Sequence, residues 1–219
     1  MSSPGVFVAF EGIDGSGKST QARLLADLVG GSGQSVILTR EPGGTPIGEM
    51  IRQVLLSDDF EGATARTEAL LHTAARAEHV EKVIQPALAA GTHVITDRYL
   101  DSTLAYQGGG SGLGVDELLS LQRFGVQTIW PDQRILVRVS VEVGISRRTD
   151  DSKVRDRIDR ATLDFHSRVA ATYDALAARN PEGWMVVNGE LDPRTVNSMI
   201  VNHLQMRIPA LFGSEAPGK

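Results

Sequence analysis

The sequence predicts an α/β fold, a three-layer sandwich in which helices cover both faces of a five-stranded parallel sheet. Three observations predict it. Short apolar runs alternate with amphipathic stretches along the chain, as strands joined by crossover helices do. The first run, Val6-Phe7-Val8-Ala9-Phe10, lacks polar alternation, as a strand buried on both faces requires. A glycine-rich turn follows it, and then an amphipathic stretch from Thr20 to Val29.

The remaining elements follow the same alternation. Ser35 to Thr39 is the second strand, Thr45 to Leu56 a helix, and Ala65 to Ala90 one long helix with Pro86 near its end. His93 to Thr96 is the third strand, ending at Asp97. Helical spacing covers Leu100 to Tyr106 and Val115 to Phe124, separated by the glycine-rich segment Gly108 to Gly114. Arg134 to Val139 is the fourth strand, and helices are expected at Val141 to Arg148 and Ala161 to Arg179. Trp184 to Val187 is the fifth strand. Asp192 N-caps a last helix through Met206, with Pro193 in its first turn. No internal repeat or linker interrupts this order, so residues 1–219 read as a single domain, with a frayed tail at 213–219.

Bulk composition narrows the function classes. With 41% hydrophobic and 22% charged residues, the chain has the balance of a globular protein. A formal net charge of −5 argues against broad nucleic-acid binding, which needs excess cations to displace counterions. There is no cysteine, so disulfides, thiolate catalysis and cysteine-ligated metal are excluded. No apolar stretch reaches the length of a membrane span, and Met1-Ser2-Ser3-Pro4 runs straight into the first strand. The expected compartment is the cytoplasm.

The motif that carries chemistry is Gly12-Ile13-Asp14-Gly15-Ser16-Gly17-Lys18-Ser19, which matches G-x-x-x-x-G-K-[ST] in full and runs on into Thr20. Strand, glycine loop and helix N-terminus are consecutive. Backbone N–H groups can therefore converge on phosphate oxygens, helped by the positive end of the helix dipole. This is a P-loop for a nucleoside triphosphate: Lys18 reaches the β- and γ-phosphates and Ser19 ligates Mg²⁺. Asp97 ends the third strand, at the sheet edge where such folds place a metal-side carboxylate. A turn or N-cap residue is the competing reading for it, as a surface cation is for Arg98. Arg40-Glu41-Pro42-Gly43-Gly44-Thr45 begins at the same edge, where a bare turn competes. A GTPase would need Asn-Lys-x-Asp, which does not occur.

Taken together, these motifs resemble bacterial thymidylate kinase, a P-loop nucleoside monophosphate kinase family. The resemblance rests on Gly12 to Thr20, Thr39 to Thr45, Ala74-Ala75-Arg76, Asp97-Arg98-Tyr99 and Ser102 to Gly108. It continues through Asp156-Arg157-Ile158-Asp159 and Asp164 to Val169. It implies transfer of the ATP γ-phosphoryl group to dTMP, giving dTDP and ADP, with Mg²⁺, in a homodimer. It implies charge neutralisation by Lys18 and Arg98, metal at Ser19 and Asp97, and a carboxylate at Asp14 near the sugar or metal. As an isolated residue, Asp14 could equally be a solvated loop carboxylate.

On the acceptor side the resemblance implies Arg40, Glu41 and Arg52 along the pocket, with Arg76 on thymine O4. Thr103 and Gln107 fall near N3 and the ring face, and Tyr106 beneath the deoxyribose. His72 stands where the family has a phenylalanine that stacks on thymine, so the stacking area is smaller. His79 lies on the same helix face, but no third ligand joins the pair at metal spacing. The charged segment at 147–159 resembles a mobile lid, with Arg148, Arg155 and Arg157 as candidates for the transferring phosphoryl group; Arg148 and Arg155 are favoured. Two rivals stay in view: a kinase for another monophosphate, and a regulatory module whose ATP site has lost catalysis.

Overall fold

The computed structural model describes residues 4–60, 62–151 and 162–213. Five strands form one parallel sheet: β1 (Phe7–Glu11), β2 (Val36–Arg40), β3 (His93–Asp97), β4 (Gln133–Arg138) and β5 (Trp184–Asn188). Their order is β2-β3-β1-β4-β5. From β1 at the centre the chain moves out to β2, returns through β3, and crosses β1 to reach β4 and β5, so the connections leaving the neighbours β1 and β4 run to opposite sides. In open α/β sheets that crevice, at the carboxyl ends of the strands, is where ligands bind.

Alternation along β1 explains the three layers. Val8 and Phe10 point to one face, where they pack with Leu25 and Val29 of α1 (Lys18–Gly31) and Ile200 and Leu204 of α9 (Pro193–Arg207). Phe7 and Ala9 point to the other. There they meet Ala69 of α3 (Ala65–His79), Leu100 of α5 (Leu100–Thr103) and Leu118 of α6 (Val115–Val126). A third cluster joins Ile13, Tyr106 and Leu136 to Val169 and Tyr173 of α8 (Leu163–Arg179). Register then sets the level of the site. Phe10 lies opposite Asp97, and Arg40 lies opposite Asp97 on its other side. The loops leaving β1, β2 and β3 therefore emerge side by side.

Two predicted helices are interrupted. The stretch expected as one helix from Ala65 to Ala90 is α3, a π-helical turn at Val80–Ile84, and α4 (Gln85–Ala89). Pro86 has no N–H to donate and crowds the preceding turn, so the chain widens just upstream, with Gln85 N–H donating to Val80 O. The helix expected from Leu100 to Tyr106 is α-helical only to Thr103. It continues as a π-helical segment, Leu104–Gly110, that takes in glycines expected to lie in a loop. Ser111 N–H closes it by bonding to Tyr106 O. α2 (Pro46–Leu56) begins as expected, capped by Thr45, which accepts from Gly48 N–H. α7 (Val141–Asp151) runs past its expected end at Arg148, placing Arg147 and Arg148 on a helix. Residues 214–219, most of the tail expected to fray, lie outside the described residues.

The wide turn at Leu104–Gly110 matters because it carries Tyr106 and Gln107. Its glycines let it press against α8: a Cβ on Gly109 would fall 1.9 Å from Thr172 Oγ1 and 2.8 Å from Thr172 Cβ. Rotating Thr172 cannot relieve the second contact. Gly109→Ala is therefore expected to cost about 1–3 kcal/mol by overpacking. Urea denaturation checks this, and a midpoint equal to wild type would show that the helix pair yields freely.

Candidate active site

The loop after β1 has the backbone that its glycines anticipate. Gly15 has φ 75°, and a Cβ there would lie 2.1 Å from Gly144 O, so no other residue fits the close approach of α7. Lys18 opens α1 and is buried, its Nζ donating to Ile13 O at 3.2 Å and lying 3.8 Å from Asp14. Burial and the nearby Arg98 charge push its pKa down. Ser19 Oγ donates to Asp97 Oδ2, while Asp97 Oδ1 is buried without a hydrogen-bond partner among the described residues. Two oxygen donors thus sit together at the N-terminus of α1, one of them with a vacant lone pair.

Arg98 sits at the centre. It is one of two non-glycine residues with positive φ among the described residues, at 72°, and its N–H bonds to Phe10 O. An L residue is held in this strained conformation only where its surroundings over-determine it. Here they do. Nη2 donates to Asp14 at 2.6 Å and to Tyr106 Oη at 3.1 Å, while Nη1 donates to Ser102 Oγ at 3.1 Å. The guanidinium lies 4.9 Å from the Tyr106 ring centroid. Asp14 also accepts from the Tyr106 hydroxyl at 2.8 Å. Burial alone would raise the Asp14 pKa, but Arg98 and Lys18 overcome it and hold the carboxyl well below the usual carboxylate range. Asp14 is therefore a paired anion and not a solvated loop carboxylate.

Beneath Arg98 lies Glu11, the last residue of β1 and fully buried. It accepts from Tyr99 N–H at 2.8 Å, Ser102 Oγ at 2.6 Å and Tyr173 Oη at 2.9 Å. Burial, and then the negative Asp101 nearby, push its pKa from 4.5 up to about 7. It is not among the residues expected at the site. The available signal was a carboxylate closing an otherwise apolar central strand.

The residues expected on the acceptor side converge next to Arg98. Arg76 differs from a surface arginine: it is 2% exposed. Nε donates to Glu41 at 2.7 Å, Nη1 to Thr103 and Gln122, and Nη2 to Tyr99 O at 3.0 Å. Four of its five N–H donors are thus spent on the protein. Glu41 is shared with His79, whose other ring nitrogen bonds Thr39 at 2.8 Å. His79 thereby belongs to a buried polar network under the turn Arg40 to Thr45. Gln107 Nε2 donates to Glu68 at 3.1 Å. Neither Glu68 nor Gln122 was anticipated, since on a helix each reads as an ordinary polar residue.

Two cavities are built from these parts. The larger, ≈ 730 Å³, runs along the loop from Asp14 to Thr20 and past Asp97, with Arg40 and Arg147 on its walls. The smaller, ≈ 150 Å³, is lined by His72, Arg76, Thr103, Tyr106 and Gln107. They share Asp14, Glu41, Arg52, Arg98 and Arg148. Arg40 stands at the rim, ion-paired to Glu49 at 3.0 Å, and Arg52 donates to Pro42 O. Gly12 and Ile13 stand behind the loop, Gly12 O accepting from Arg98. Arg155 and Arg157 lie outside the described residues, as does most of the expected lid.

Comparison with known proteins gives one answer. A family model described as thymidylate kinase matches residues 10–200. The chain is 51% identical to a thymidylate kinase of Thermomicrobium roseum over 190 residues, covering 87% of this chain and 90% of that one. Identity to the Citrifermentans bemidjiense thymidylate kinase is 40% over 213 residues, 94% of each chain. Among solved structures, a thymidylate kinase from Ehrlichia chaffeensis superposes with a TM-score of 0.76 at 35% identity, covering 93% of this chain and all of that one.

Glu11 yields a test independent of any substrate. Its folded form holds a proton more tightly than the unfolded chain, so its contribution to stability falls as pH rises from 4.5 to about 7. Glu11→Gln removes that loss while keeping an acceptor for Tyr99 N–H. The melting temperature of Glu11→Gln minus that of wild type should climb across this window and level off above it. A difference independent of pH would show that Glu11 is charged throughout.

Proposed function

The chain belongs to the thymidylate kinase family, and from that premise we propose that it transfers the γ-phosphoryl group of ATP to dTMP in the cytoplasm, releasing dTDP and ADP. The observation that carries the proposal is the meeting of two cavities at Arg98, one walled by a phosphate-binding loop and one by polar and aromatic groups. The triphosphate of ATP lies along Asp14 to Thr20, where backbone N–H groups, Lys18 and the α1 dipole face its oxygens. dTMP fills the smaller cavity, with its base toward His72, Arg76, Thr103 and Gln107 and its sugar over Tyr106.

The chemistry then needs alignment more than proton transfer. A phosphate oxygen of dTMP attacks the γ-phosphorus, forming the new P–O bond as the bond to the β,γ-bridging oxygen breaks; the electron pair leaves with ADP. The acceptor oxygen is already anionic, so no strong base is required. Repulsion between two polyanions is the main obstacle, and Lys18 along the larger cavity with Arg98 and Arg148 on the shared wall lower it. Asp14 and Tyr106 hold Arg98 in place for this. Arg155 is assigned to the same phosphoryl group through the family resemblance. Ser19 and Asp97 fit Mg²⁺, because the buried Asp97 Oδ1 has no other partner among the described residues and both ligands are hard oxygens. When bound there, Mg²⁺ would neutralise charge on the phosphate oxygens.

A second copy of the chain completes the reading. Met50 on α2, Leu70 on α3 and Phe124 on α6 are 57%, 57% and 83% exposed on helices that pack together. A homodimer through this face would cover them. Sedimentation should give twice the chain mass, and Phe124→Lys should shift it toward the monomer.

ADP release in a coupled assay over a panel of monophosphates tests the reaction. dTMP should be turned over fastest; turnover of another monophosphate but not dTMP would reassign the substrate, and none at all would favour the regulatory module. Arg98→Ala should lower kcat by about 10²–10³-fold in a protein that still folds, as its circular dichroism spectrum checks. Near-normal turnover would remove Arg98 from the transfer step.

A further inference from the structure

We propose that Glu68 is a positioning residue for base choice: it orients the side-chain amide of Gln107 so that Oε1, and not Nε2, faces the nucleobase. The inference rests on the proposed dTMP site and concerns how that site reads its base. Glu68 lies in the first turn of α3, where an acidic residue would ordinarily serve the helix dipole from solvent. This one is 4% exposed and faces inward. Its oxygen accepts from Gln107 Nε2 at 3.1 Å, and Gln107 is itself 2% exposed.

The Glu68 oxygen serves Gln107 as an acceptor, and an amide has one donating end and one accepting end. Turning Gln107 over would set Oε1 against the Glu68 oxygen, two acceptors in contact where water cannot intervene. One amide orientation is therefore strongly preferred. Among the described residues Gln107 Oε1 takes no protein donor, and Gln107 lines the small cavity. Arg76, on the same wall, has one N–H without a partner among the described residues. The wall thus offers an acceptor and a donor. Thymine answers with N3–H and O4. Cytosine presents the reverse pair, an unprotonated N3 and a 4-amino group. A polar site that a ligand leaves mismatched rejects it far more strongly than an apolar pocket does.

Kinetics with dTMP and dCMP as alternative acceptors test this. In Glu68→Gln the facing amide can accept or donate, so Gln107 is free to turn over. KM for dTMP should rise about tenfold, with kcat and KM for ATP unchanged. The kcat/KM ratio of dTMP to dCMP should fall by a similar factor. Glu68→Asp, still an acceptor alone, should keep the wild-type ratio even if its total activity drops. In a Gln107→Leu background, Glu68→Gln should add nothing. Should Glu68→Gln be too unstable to assay, Glu68→Ala reads the same ratio, since it too frees the amide. An unchanged ratio in whichever variant is assayed, or a further rise in KM in the Gln107→Leu background, would overturn the role of Glu68 alone. Absence of dTMP turnover by wild type would instead remove the site on which it rests.

Discussion

The pairing of Arg98 with Asp14 ties the phosphate loop to the end of β3, and the rest of the site is arranged around it. At 2.6 Å and only partly accessible to water, this contact joins two loops that leave neighbouring strands. Register brings them level, because Phe10 and Asp97 are opposite one another. The positive φ of Arg98 then turns its side chain back across the β1 loop, where Asp14 and Tyr106 receive it. A guanidinium held at several of its donors cannot swing away. A cation fixed at the boundary of two cavities is what two approaching polyanions need.

Behind that cation the protein has placed acids, and their environments differ. Asp14 has two cations beside it and stays ionised. Glu11, one layer deeper, has neutral hydroxyls, one N–H and a neighbouring acid, so burial decides and its pKa climbs. Ser102 links the layers: its hydroxyl donates to Glu11 and accepts from Arg98. The acceptor wall repeats this economy. Arg76 is fastened by Glu41, Thr103, Gln122 and a backbone carbonyl, and Glu41 by His79. Among the described residues each of these buried groups has hydrogen-bond partners that fix its orientation.

The helical segments that carry these groups depart from ideal geometry where the site needs them. Pro86 widens one turn and the glycines at 108–110 permit another. The second sets Tyr106 and Gln107 against the cavity while its backbone presses on α8. Such widened turns are frequent at functional sites, since they re-aim side chains without ending the helix.

Much of this was legible in the sequence. The parallel sheet follows from apolar runs bounded by glycine and polar turns, and the loop at Gly12 to Ser19 follows from a spacing that few other structures require. Strand ends at Arg40 and Asp97 marked the edge where ligands bind, because in such sheets the connecting loops alone meet the crevice. What linear order could not show is which polar residue meets which. Glu11, Glu68, Gln122 and His79 are separated from their partners by tens of residues, and each alone reads as an ordinary helix or strand-end residue. The π-helical turns were also hidden, because their periodicity differs from that of an α-helix by less than one residue per turn. Chemistry at a loop is set by local spacing, which the chain itself dictates. Orientation, burial and protonation come from neighbours that only the packed sheet and helices assemble.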